Sequence, residues 1–207
     1  HVTDKIASAI RQSPVPVVLA GSIINDSSIP SVNIDYFQAA MDAIQLFINK
    51  GHKEIAFVSG PLEYTINGEH KLGAYKQALQ QANIEINEQL IDATDGTYDE
   101  ALLSWESFVQ KAHVPTAIFA GSDEIALGII HAIQDAGKRV PEDVEVISFE
   151  NSKLARMIRP QLTSVALPLY DIGAVSMRIL TKLLNKEEVP DKNVILPYRI
   201  ETRKSTK

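Results

Sequence analysis

Polar residues standing just past short apolar runs are the first candidates for chemistry in this sequence. Ser59, Asp95, Tyr98, Ser122, Asp123 and Glu150 occupy such positions. If the runs are parallel strands, these residues converge on one rim, the carboxyl edge where open α/β sheets hold ligands. Carboxylates and hydroxyls on such a rim accept hydrogen bonds from ligand hydroxyls, and Tyr98 offers a ring for stacking. A structural job fits the same positions, since Ser122 or Asp123 can cap a helix. A second set lies on Tyr170–Leu184. At helical spacing, Asp171, Arg178 and Lys182 fall within about 40° of each other, while Ile172, Ile179, Leu180, Leu183 and Leu184 cover the other side. Arg178 and Lys182, four residues apart, repel mildly. A phosphate or carboxylate between them would turn that repulsion into charge-assisted hydrogen bonds. A solvated stripe that keeps the helix soluble is the other reading, and geometry alone leaves both open.

Catalytic signatures are absent. The sequence has no G-x-G-x-x-G after a strand, no Walker-type phosphate loop, no G-x-S-x-G elbow and no H-E-x-x-H. His1, His52, His70, His113 and His131 show no metal-ligand spacing with one another, and there is no cysteine for thiolate or disulfide chemistry. No metal and no resident cofactor are expected. A 207-residue chain that is 45% hydrophobic and 22% charged can bury a substantial core. Its net charge of −6 argues against this stretch forming a nucleic-acid surface by itself. No apolar run reaches the ~18–20 residues of a membrane helix, so no membrane partner is expected.

The elements that must position these residues can be read from periodicity. Ala117–Ala120 is a short apolar run, and Ile125, Ile129, Ile130 and Ile133 then repeat at helical spacing. Pro141 and its neighbours break the chain before the next run, Val144–Phe149. Two short strands joined by a helix are parallel neighbours. Elsewhere, helices are expected over Val2–Gln12, from Asp35 to Gly51, from about Gly68 to Ala82, from Thr97 onward, and over Tyr170–Leu184. Asp35 with Gln38 and Thr97 with Glu100 have capping-box spacing. Strands are expected at Val17–Ile24, Val32–Ile34, Ile55–Ser59, Leu90–Ala93, Leu162–Val165 and Val194–Ile200, with one helical turn at Leu154–Ile158. Alternation throughout predicts an α/β protein with largely parallel sheets. The lone early strand has little to pair with, which points to preceding βα units outside this sequence.

Several stretches resemble the regulatory core of the bacterial LacI/GalR transcription repressors, related in fold to periplasmic sugar-binding proteins. They are Gly51–Pro61 (GHKEIAFVSGP), Thr116–Gly128 (TAIFAGSDEIALG), Val140–Val144 and Pro160–Val165. Pro14–Ile23 and Leu169–Lys182 (LYDIGAVSMRILTK) are similar to the branch of that family concerned with carbon catabolite control, which senses serine-phosphorylated HPr. The resemblance implies two doubly wound subdomains of the type I periplasmic-binding-protein kind, the N-terminal one incomplete. Residues 1–32 with 167–185 would form that subdomain, and 33–166 with 186–207 the other. It implies a cytoplasmic homodimer and no enzyme activity. Operator DNA would be bound only through an N-terminal helix-turn-helix that is not in this sequence. Arg178 and Lys182 would meet the phosphoserine of HPr, with Tyr170 and Asp171 contributing at the helix start. An effector cleft of Ser59, Lys71, Tyr98, Ser122, Asp123 and Glu150 would bind a phosphorylated sugar weakly. In the family's tight binders an arginine usually stands where Lys71 is and an aspartate where Glu150 is, and lysine lacks arginine's bidentate fork. Leu127, Ile130, Met157 and Ile158 would lie at the dimer interface, unless they are ordinary core. Two alternatives are a LacI-type repressor answering to a sugar alone and a sugar-binding transport protein of the same fold.

Overall fold

The computed structural model describes residues 4–24, 26 and 28–207. The larger of its two sheets is built from β3 (Ile55–Ser59), β4 (Ile91–Ala93), β5 (Ala117–Ala120), β6 (Glu145–Glu150), β7 (Thr163–Ala166) and β9 (Arg199–Glu201). Their order is β4-β3-β5-β6-β7-β9, parallel except where β9 runs against β7. Strands covered on both faces read as unbroken apolar runs. Accordingly all five residues of β3 and all four of β5 are buried.

Alternation sends successive side chains to opposite faces. Ala56, Val58, Ile118, Ala120 and Val146 face one layer with Trp105, Phe108, Ile129 and Ile133. That layer is α4 (Tyr98–Gln110) and α5 (Asp123–Asp135). Ile55, Phe57, Phe119, Ile147 and Phe149 face Ile44, Phe47, Tyr75 and Leu79 on the other side. Those come from α2 (Tyr36–Asn49) and α3 (Gly73–Gln81). The expected caps are present, with Asp35 accepting from the Gln38 amide and Thr97 from the Glu100 amide.

A small parallel sheet has the order β1-β2-β8, from β1 (Leu19–Ala20), β2 (Ser31–Asn33) and β8 (Asn193–Ile195). The helix α7 (Leu169–Leu184) covers it, with Ile172 and Ile179 packed against Val32. The remaining helices are α1 (Asp4–Arg11) and the short α6 (Lys153–Met157), which packs on α5. Two expectations need correction. The strand expected over Val17–Ile24 pairs only at Leu19–Ala20, because Gly21, at φ 66°, turns the chain. The single strand expected over Val194–Ile200 divides at Leu196-Pro197-Tyr198 into β8 and β9, which join different sheets. Proline lacks the N–H a ladder needs, so the run cannot continue through Pro197. Backbone pairing thus ties 193–195 to the small sheet. The first helix begins at Asp4 in the described residues, and His1 and Val2 lie outside them.

Candidate functional site

The carboxyl ends of β3, β5 and β6 open onto a cleft of about 800 Å³. Lys71 reaches it from a π-helical turn, Ile66–Leu72, that precedes α3. Within this turn Asn67 and Lys71 both point inward, at 7% and 5% exposure. Gly68 permits it, since a Cβ there would fall 2.0 Å from the Leu62 carbonyl oxygen. The Lys71 ammonium donates to the Gly121 carbonyl at 2.8 Å and stands 4.5 Å from the Phe149 ring centroid. Burial pulls its pKa down, and the nearby Glu150 carboxylate opposes that shift. For Glu150, burial pushes the carboxyl upward while Lys71 pulls it back. Burial wins for both groups, and each charge offsets only part of the penalty on the other.

Of the six residues expected in the cleft, three line it: Lys71, Ser122 and Glu150. Ser122 also caps α5, accepting from the Ile125 amide. Ser59 is buried behind Gly121, and its hydroxyl has no hydrogen-bond partner among the described residues. Asp123 is 1% exposed and faces inward, accepting from the hydroxyls of Ser148 at 2.5 Å and Ser164 at 3.1 Å and from the Ser152 amide. It braces the loop after β6 and does not line the cleft. Tyr98 does not line it either. Its hydroxyl hydrogen-bonds with His131 Nδ1 at 2.8 Å, because α4 packs its first turn on α5. Asn67 and Tyr36 line the cleft and were not expected. Asn67 stands four residues before Lys71, the spacing that puts two side chains on one helical face. That was a usable signal. Nothing local marked Tyr36.

The second charged set lies on α7. Tyr170 is 87% exposed, Asp171 and Arg178 are exposed and Lys182 is half-buried. No ion pair among the described residues engages Asp171, Arg178 or Lys182. Met177 and Leu184 on the same helix are exposed as well. The four interface candidates are less uniform. Met157 is 70% exposed and Leu127 is partly buried. Ile130 at 0% and Ile158 at 7% belong to the chain's own core and have little surface to offer a second subunit.

Comparison with known proteins places this architecture. Residues 44–206 match the model of the periplasmic binding protein-like domain. All 207 residues align, at 52% identity, with catabolite control protein A of Priestia megaterium, covering 62% of that protein. The crystal structure of the transcription regulator CcpA of Lactococcus lactis superimposes with a TM-score of 0.92 at 40% identity, covering all of this chain and 75% of that one. The chain belongs to the LacI family of transcription regulators. Another member of the LacI family, a regulator from Enterococcus faecium with bound ribose, matches with a TM-score of 0.88 at 25% identity over 99% of this chain and 76% of that one. The Lactococcus and Enterococcus proteins are both transcription regulators. The chain spans about three-fifths of the length of the curated relatives it matches, 62% for the Priestia protein.

Proposed function

We propose that the chain is the regulatory core of a carbon catabolite control regulator, a homodimer whose corepressor is serine-phosphorylated HPr docked on α7. One observation carries this reading. Arg178 and Lys182 stand one turn apart on α7, which also carries Tyr170 and Asp171, with no ion pair to either cation among the described residues. Two unpaired cations at that spacing gain most from an external phosphate, which can accept from both. The 52% identity to a catabolite control protein supports the same reading. In the full-length protein, operator DNA would be held by a separate N-terminal helix-turn-helix. Docking on α7 would bias the arrangement of the two lobes, coupling separate sites. Such a regulator works in the cytoplasm. The cleft would take a sugar effector, phosphorylated and weakly held, with Lys71 beside it.

Titration of the full-length protein with phosphorylated and unphosphorylated HPr tests this. Phosphorylated HPr should bind the wild type and lose at least about tenfold in affinity to Arg178→Ala, which corresponds to about 1.4 kcal/mol. Equal affinity for wild type and variant would remove the phosphate assignment. A second reading, a repressor that answers to a sugar alone, is favoured by the volume of the cleft and by the ribose bound in the Enterococcus relative. Tight binding of a free sugar without any response to HPr would select it.

A further inference from the structure

Glu150 reaches the cleft from a strained strand end. It is the last residue of β6 in register with β7, opposite Ala166, and it lines the cleft. Its φ is 107°, and that of the next residue, Asn151, is 56°. Residues with a Cβ seldom enter that half of φ space, although asparagine does so more readily than most. Two in succession persist only where the surroundings over-determine them. Here Asn151 is held from two directions. Its amide donates to Ser164 Oγ at 3.0 Å, and Ser164 in turn donates to Asp123 at 3.1 Å. Its side-chain Oδ1 accepts from Arg203 Nη2 at 2.7 Å.

Arg203 does not line the cleft. It lies 52 residues further along the chain, shortly past β9. Its amide donates to Thr163 Oγ1 at 2.8 Å and its Nη1 to the Leu162 carbonyl at 2.6 Å, which fixes it at the start of β7. Buried Ser205 continues this strap, donating to the Gln161 carbonyl and accepting from the Val146 amide, each at 2.9 Å. No ion pair among the described residues engages Arg203. Its guanidinium therefore serves the neutral oxygens of Leu162 and Asn151. A charged donor makes the stronger hydrogen bond, and arginine's planar fork reaches two acceptors at once.

We propose that Arg203 is a positioning residue for the cleft. By holding Asn151 in its left-handed conformation from behind the wall, it sets where the preceding Glu150 stands toward a ligand. The proposal rests on the cleft being the effector site. There the Glu150 carboxylate accepts from ligand hydroxyls, and Arg203 touches no ligand. Released from Arg203, Asn151 relaxes toward the ordinary region of φ, and the end of β6 moves with it.

Calorimetric titrations of the full-length protein with ribose and with glucose 6-phosphate test this, each variant being melted in parallel. For a probe that binds wild type, Arg203→Met should lose about tenfold in affinity, within the range of coupling inside one hydrogen-bond network. Asn151→Ala leaves Arg203 and its strap in place and should lose as much, because alanine resists a positive φ. Asn151→Gly should bind like wild type. Arg203→Met on that background should cost nothing further, since glycine takes a positive φ unaided. Glu150→Ala should likewise mask Arg203→Met, as expected if one acts through the other. A loss in Arg203→Met that persists in full beside Asn151→Gly overturns the proposal and leaves the cleft reading standing. So do lowered melting temperatures with unchanged affinity, the mark of a merely structural contact. Binding of neither probe to wild type removes both.

Discussion

Asp123 shows how far a residue's chemistry depends on which way it faces. Its type and its place after β5 suit a ligand contact, yet its carboxylate serves Ser148, Ser152 and Ser164 behind the cleft wall. Asp123→Ala would leave those buried donors unsatisfied and should cost about 2–4 kcal/mol in urea unfolding, the range for breaking a buried charged network. Asp123→Asn should be milder, keeping one acceptor oxygen. Tyr98 shows the same dependence. A ring just past a strand end looks free in sequence, and only the packing of α4 on α5 reveals that it turns to His131. At the opposite sheet edge, Glu145 is 2% exposed, accepts from Lys50 and lies beside His52. Burial lowers the His52 pKa below the ordinary 6.5, outweighing the pull of Glu145. The folded state therefore binds that proton less readily than the unfolded chain. Stability contributed by neutral His52 is present above about pH 6.5 and declines as pH falls through the unfolded value. His52→Gln should flatten that part of the stability–pH curve in thermal melts.

Among elements, those with strong periodicity and a chemical start signal were legible. Asp35 and Thr97 cap α2 and α4 as their spacing implies. In α2, however, the Gln38 side chain bonds Asp42 and not the cap residue's amide. The π-helical turn was not legible. Seven residues with no apolar rhythm look like the ragged start of a helix, and its cause, Gly68 against the Leu62 carbonyl, is a tertiary contact. Gly68→Ala should destabilise the protein by about 1–3 kcal/mol in thermal melts, as overpacking does, and should shift Asn67 and Lys71 within the cleft. Late in the chain, Val194–Ile200 carries one apolar run across two sheets. Alternation alone cannot show that Pro197 separates two partners.

At the scale of the whole molecule, the α/β class and the parallel order follow from short apolar runs alternating with helices. The division between the sheets does not, because β8 returns to the small sheet after α7 from 160 residues beyond β2 in sequence, a pairing no local pattern encodes. The two regions with regulatory promise lie on different lobes. The cleft opens at the end of the large sheet, and the Arg178 face belongs to the helix that covers the small one. A regulator that couples them needs a partner whose binding favours one lobe arrangement over another. Operator binding by the full-length protein, followed by fluorescence anisotropy with and without serine-phosphorylated HPr, measures that coupling directly. Phosphorylated HPr should tighten operator binding by wild type and leave Arg178→Ala unchanged, with unphosphorylated HPr inert toward both. Equal stimulation of wild type and Arg178→Ala would contradict the account.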